Sequence, residues 1–172
     1  MPEITLPFIL SQIAMFMAMG FDFLSMQFKK RQQTFLCLIV SAGLISTHYF
    51  LLGKIAAGVI VSISVLRFIT CYFTTNKKYL FIFIGLNTLS LFFTYNNLTD
   101  LIIYAGLVVF ITGNFQANNQ RMRKLMMLGT SIIVVYNFII FSPMGVVAEG
   151  SFLISNFIGY YRHYIRPKDS SA

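Results

Sequence analysis

The sequence predicts an all-α membrane protein of seven transmembrane helices, built as two parallel triple-helix repeats joined by a single helix. Three observations predict it. Of the 172 residues, 57% are hydrophobic and only 10% charged, against roughly 25% charged in a soluble domain. The apolar residues gather into blocks close to the ~20 residues that carry a helix across hydrocarbon. The basic residues, which set the net charge of +8, stand in short clusters between those blocks, where topology signals lie. Charge placed that way argues against nucleic acid as a partner and for the lipid bilayer.

The expected spans run at about 5–28, 34–52, 55–75, 79–95, 101–115, 125–141 and 146–164. The first is expected to be retained: Glu3 stands where a secretory signal carries positive charge, and no small-residue cleavage site follows. The fifth is short, and a tilted or partly re-entrant segment is its alternative. The connections are too short for an extramembrane domain. A single integral membrane domain is therefore expected over 1–172, with repeat 1 at about 5–75 and a linker helix at about 79–95. Repeat 2 follows at about 101–164, with a cytoplasmic tail at 165–172.

Orientation follows from the loops. Lys29, Lys30 and Arg31 follow span 1, and Lys77 and Lys78 follow span 3. Arg121, Arg123 and Lys124 follow span 5, and Arg162, Arg166 and Lys168 end or follow span 7. All of these fall on one side, whereas the opposite loops hold only Lys54. Positive-inside logic places the N-terminus outside and the C-terminus in the cytoplasm. Cys37 and Cys71 then lie near cytoplasmic span ends, where a disulfide is not expected and a small apolar packing role is. The opposite turns, Gly53-Lys54, Asn96 to Asp100 and Ser142 to Gly145, carry Asx, Pro and Gly chemistry.

A faint internal repeat supports the two triplets. At an offset of 92, Lys29 and Arg31 fall on Arg121 and Arg123, Gly58 on Gly150, and Ser64 on Asn156. His48 lies nearer Asn137, so a gap separates the two halves of the match. Each triplet reads as a long span, a basic loop, a span, a tight turn and a span. Parallel repeats of this kind occur in transporters.

Ionisable groups in hydrocarbon are expensive, and they usually face a protein interior or a wet cavity. Arg67 lies ten residues before Lys77, hence roughly 15 Å from the cytoplasmic edge at helical rise. Asp22 lies in the cytoplasmic half of span 1, so an Asp22–Arg67 pair is geometrically possible. It reads either as an inner gate or anion clamp, since the guanidinium fork suits carboxylate or phosphate, or as a structural ion pair. His48 and Glu149 share the outer half. They read either as an outer gate with a protonatable member, or as a His48-to-carbonyl bond beside an interfacial Glu149. Asn87, Asn114, Asn137 and Asn156 are amides on spans 4 to 7, able to bind a solute or to join helices. Asn156 is the best cavity candidate, because Glu149, Asn156 and Gly159 share a helix face. Gly43, Gly58, Gly106, Gly150 and Gly159, with Ala56 and Ala57, permit close helix approach.

No metal-ligand pair at helix spacing, Cys-x-x-Cys or Gly-rich phosphate loop is present. The carboxylates ahead of the tail form no adjacent acid–base pair. Neither a cofactor, a metal nor an enzymatic activity is expected.

These residues carry a resemblance. The run His48-Tyr49-Phe50-Leu51-Leu52-Gly53, Ala57-Gly58, Arg67, Asn137-Phe138, Glu149-Gly150-Ser151-Phe152-Leu153 and Asn156 resembles the YgjV-type bacterial inner-membrane proteins. The likeness runs from span 1 to Arg162, and it implies a multi-pass protein of the bacterial inner (cytoplasmic) membrane. In layout alone the chain is distantly similar to SWEET and PQ-loop transporters. It departs from them in that no Pro-Gln pair ends span 1 or span 5 and neither helix interior carries a proline.

The function expected is transport or facilitation of a small polar solute at a central site between two three-helix bundles. Asp22, His48, Ser64, Arg67, Asn137, Glu149 and Asn156 are the candidate binding or gating residues. The alternative is a non-transporting scaffold, assembly partner or sensor whose intramembrane polar groups are structural. A homo-oligomer is compatible with either.

Overall fold

In a computed structural model, the described residues are 5–95 and 97–166, with the backbone alone at 56, 57, 94 and 144. Glu3, Asn96, the Ala56 and Ala57 side chains, and Lys168 with the tail beyond Arg166 lie outside them. Within them the chain forms seven α-helices and no strand: α1 (Leu6–Ser25), α2 (Arg31–Leu51), α3 (Ile55–Phe73), α4 (Lys77–Thr94), α5 (Thr99–Asn114), α6 (Asn119–Ile139) and α7 (Pro143–Tyr160). A π-helical turn, Tyr161–Ile165, continues α7.

These are the seven expected segments in the expected order, with shifted ends. The largest shift is at α6, which begins at Asn119 because the Asn118 carboxamide accepts from the Arg121 N–H at 3.0 Å. That cap satisfies an otherwise orphan donor and draws Arg121, Arg123 and Lys124 into the helix. Asn76 caps α4 in the same way through the Lys78 N–H at 2.9 Å. Among the described residues, three helices, α1, α2 and α6, are long and apolar enough to cross a bilayer.

The surface chemistry of α1 is that of a helix facing lipid. Its buried positions are Ser11, Ala14, Ala18 and Ser25, while Leu6, Ile13 and Phe16 are exposed, Phe16 at 80%. Small residues turned inward and large apolar ones outward fit packing within a membrane, where close backbone approach replaces the hydrophobic drive.

The chain divides into two compact units, Met1–Phe73 and Thr74–Ala172. In the first, α2 packs against both α1 and α3; in the second, α6 packs against both α5 and α7, and α4 rests on α5. The linker helix thus belongs with the second unit.

The α5–α6 contact is set by glycines. A methyl group at Gly129 would stand 2.7 Å from the Phe110 nitrogen and 2.8 Å from the Gly106 carbonyl oxygen, and one at Gly106 would meet Gly129 in turn. Gly106 therefore does permit close approach, whereas added carbons at Gly43 and Gly150 would meet nothing. At Gly58 the neighbour is the Phe50 ring.

The α2–α3 and α6–α7 turns are built alike. After α2, Gly53 takes a left-handed φ of 69°, with Gly53 N–H bonded to Phe50 O and Lys54 N–H to Tyr49 O. After α6, Phe141 takes φ 53°, with Phe141 N–H bonded to Phe138 O and Ser142 N–H to Asn137 O. This is the left-handed helix stop that glycine normally fills, so Phe141 carries the steric strain that Gly53 avoids. The two turns match at 141 against 53, an offset of 88, one helical turn from the offset of 92 read in the sequence.

Candidate functional site

The seven candidate residues divide between the units. Asp22, His48, Ser64 and Arg67 belong to the first, and Asn137, Glu149 and Asn156 to the second.

In the first unit His48 is tied to α1: its Nδ1 lies 2.8 Å from the Ser11 carbonyl oxygen. A carbonyl only accepts, so Nδ1 carries the proton and the ring bridges α2 to α1. Asp22 is half-buried on α1, with its carboxyl toward Ser41 of α2. That contact is loose, because the buried Ser41 hydroxyl closes no bond of ordinary geometry. Arg67 is buried on α3, with its guanidinium 4.8 Å from the Phe68 ring centroid and within electrostatic reach of the Cys71 thiol. Asp22 and Arg67 thus take different neighbours. Ser64 is half-buried on α3. A hydroxyl relay a little further along joins α2 to α3: Ser46 donates to Gly58 O at 3.0 Å and lies 2.8 Å from the Ser62 hydroxyl.

Arg31 is the residue that loop reasoning missed in this unit. It opens α2, donates through Nη1 to the Cys71 carbonyl of α3, and stacks 4.5 Å over Phe35. Phe35 in turn meets Phe68 at 6.2 Å. Two guanidiniums and two rings therefore line the same α2–α3 seam around Cys71.

The second unit repeats the theme with a different partner. Arg123 and Asn156 are both fully buried. Arg123 Nη1 donates to Asn156 Oδ1 at 3.4 Å, and Asn156 Nδ2 donates to the Arg123 carbonyl at 3.2 Å. The Tyr164 hydroxyl lies at the same guanidinium, and Gln120 Nε2 donates to the Tyr160 hydroxyl at 3.0 Å. Arg123 was expected in a cytoplasmic loop. The signal that places it inside is periodicity: Arg123, Met126, Thr130 and Ile133 are all buried on α6, the i, i+3, i+7, i+10 stripe of one face. Asn137 donates to Ile133 O at 3.0 Å and lies over Gly145. Glu149 is half-buried on α7. Asn137 and Asn156 thus act within and between helices.

The second unit also holds a cavity of about 280 Å³ whose polar lining is Asn87, Ser90, Asp100, Tyr104 and Tyr136. Leu91, Ile103 and Leu107 supply its apolar wall. It lies among α4, α5 and α6, toward the helix ends away from Lys77 and Arg121. The Tyr104 hydroxyl lies 2.7 Å from Thr88 Oγ1, which fastens α5 to α4. Asn87 Nδ2 is held by Phe83 O at 2.8 Å. Asp100 Oδ2 accepts from the Asn97 N–H at 3.1 Å. Of these residues, the sequence had named Asn87, as an amide on span 4, and Asp100, as a turn carboxylate given no role in a site. The rest gather only when α4, α5 and α6 pack.

Among the described residues no group of three His, Cys, Asp or Glu side chains is placed to hold a metal ion. A family model described as bacterial inner membrane protein, Imp-YgjV, matches residues 9–167. No curated protein matches the chain, and no solved structure does.

Proposed function

From the chain's membership of the Imp-YgjV family of bacterial inner membrane proteins, we propose that it is a multi-pass protein of that membrane which binds and passes a small polar solute. The observation that carries this reading is the cavity of about 280 Å³, where polar groups face an apolar wall of Leu91, Ile103 and Leu107. Its volume lies near the lower bound of ligand sites, ~300 Å³, and a few convergent polar groups on an apolar wall are the usual makeup of such sites. In this reading all seven helices cross, the N-terminus is outside, and α1–α3 and α5–α7 are parallel repeats connected by α4. Asp22, His48, Ser64, Arg67 and Glu149 serve as gating or path residues.

The test is flux. Proteoliposomes containing the full chain should move a member of a panel of small polar solutes. Tyr136→Ala, Arg67→Ala and Glu149→Gln proteins at equal incorporation should move it more slowly. Flux equal to that of empty liposomes for every solute would defeat the reading.

A second reading, a non-transporting scaffold or assembly partner, is favoured by Arg123 and Asn156. Those two residues bond each other across α6 and α7, which is how interhelical glue behaves. Thiol labelling separates the two readings. A cysteine at position 136 reacts with polar maleimides if the cavity is wet, and stays protected if the unit is packed dry.

A further inference from the structure

The lining of the α4–α5–α6 cavity has a sign. Asp100 is its one formal charge, and none of the described lining residues is basic. A carboxylate or phosphate ligand would be repelled by the Asp100 carboxylate. The remaining polar side chains, Asn87, Ser90, Tyr104 and Tyr136, can each accept a hydrogen bond from an ammonium group. Asn87 spends an amide N–H on Phe83 O, so its Oδ1 is the atom left to face a donor. The Tyr136 hydroxyl makes no hydrogen bond among the described residues, and the Tyr104 hydroxyl is shared with Thr88. Two phenol rings beside one carboxylate make an environment that attracts an ammonium group, through the charge and through the ring quadrupoles. The leucine and isoleucine wall suits the carbon skeleton of such a solute.

Resting on the solute-binding reading above, we infer that this cavity selects a small organic cation, a primary or quaternary ammonium compound. Its nitrogen sits toward Asp100 and the tyrosines, and its alkyl part against Leu107 and Ile103. The cavity's modest volume restricts the ligand to a compact one, well short of drug size.

Binding to the purified full chain in nanodiscs tests this, by calorimetry and by ligand-dependent thermal stabilisation at constant ionic strength. The probes are ethanolamine, choline and tetramethylammonium as chlorides. The controls are 3,3-dimethylbutanol, the neutral isostere of choline, and sodium acetate. At least one cation should bind about ten-fold or more tightly than either control, a margin of one decade in Kd. Asp100→Asn, which keeps an acceptor for the Asn97 N–H, should weaken that binding by about ten-fold while leaving the unliganded melting temperature unchanged. Tyr136→Leu should weaken it as well, and Tyr136→Phe much less.

If the neutral isostere or acetate binds as well as choline, or if Asp100→Asn binds cations like the parent, the cation assignment is overturned and solute binding stands. Should none of the probes bind, the cation assignment is equally overturned, and the flux panel, which includes neutral and anionic solutes, decides the broader reading independently.

Discussion

Arg123 and Asn156 clasp each other across α6 and α7: guanidinium to amide oxygen at 3.4 Å, and amide nitrogen to main-chain carbonyl at 3.2 Å. Both side chains are fully buried. Burying that charge is costly, and the bonds to Asn156 and Tyr164 offset part of the cost, so the clasp ties the register of the two helices.

Replacing Asn156 with leucine therefore strips one partner from a buried cation and from a buried carbonyl. Each lost partner costs about 1–3 kcal/mol. The detergent-solubilised Asn156→Leu protein should melt several degrees below the parent, and Asn156→Gln should lie between them. An unchanged melting curve for Asn156→Leu would remove the clasp from the list of stabilising contacts.

The α5–α6 crossing makes a sharper prediction. A methyl group at Gly129 meets main-chain atoms of Phe110 and Gly106 inside 3 Å, and backbone cannot step aside as a flexible side chain can. Gly129→Ala should destabilise by about 1–3 kcal/mol, the usual cost of overpacking. Gly85→Ala, whose added carbon meets nothing, should be neutral or slightly stabilising through the helix preference for alanine. Thermal melts of the two single variants check the contrast.

Arg31 should tolerate lysine poorly although charge is conserved. The guanidinium both donates to the Cys71 carbonyl and stacks on Phe35, and a lysine ammonium does not reproduce the flat stack together with the directed donor. Arg31→Lys should lower the melting temperature by nearly as much as Arg31→Ala. The protein should also show faster maleimide modification of Cys71, which is buried in the parent. Equal melting and equal Cys71 labelling in the Arg31→Lys protein would contradict this.

The proposed topology is open to direct measurement. On a background lacking native cysteines, Asn97→Cys should react with an impermeant thiol reagent added outside spheroplasts. Ala117→Cys should react only after the membrane is opened. Labelling with the two sides exchanged would invert the orientation read from the basic residues.

Helix number and order were legible in the sequence because apolar blocks of membrane length, punctuated by Lys and Arg, reflect a strong one-dimensional force. Side-chain neighbours were less so. Arg123 looked like a loop charge because it sits between Arg121 and Lys124, and only the Asn118 cap, extending α6 backward, shows that it enters the bundle.

The sequence by itself determined a chain of apolar helices for a bacterial inner membrane, since hydropathy, basic clusters and the family-bearing segments are all local properties. The tertiary structure alone decided which polar groups meet: Arg123 with Asn156, Arg31 with the Cys71 carbonyl, and the α4–α5–α6 cavity between Asp100 and Tyr136. Those pairings depend on how each helix is rotated about its axis and where it crosses its neighbour. That rotation is set by small-residue contacts such as Gly106 against Gly129, between positions far apart in the chain, and single-sequence periodicity carries little record of them.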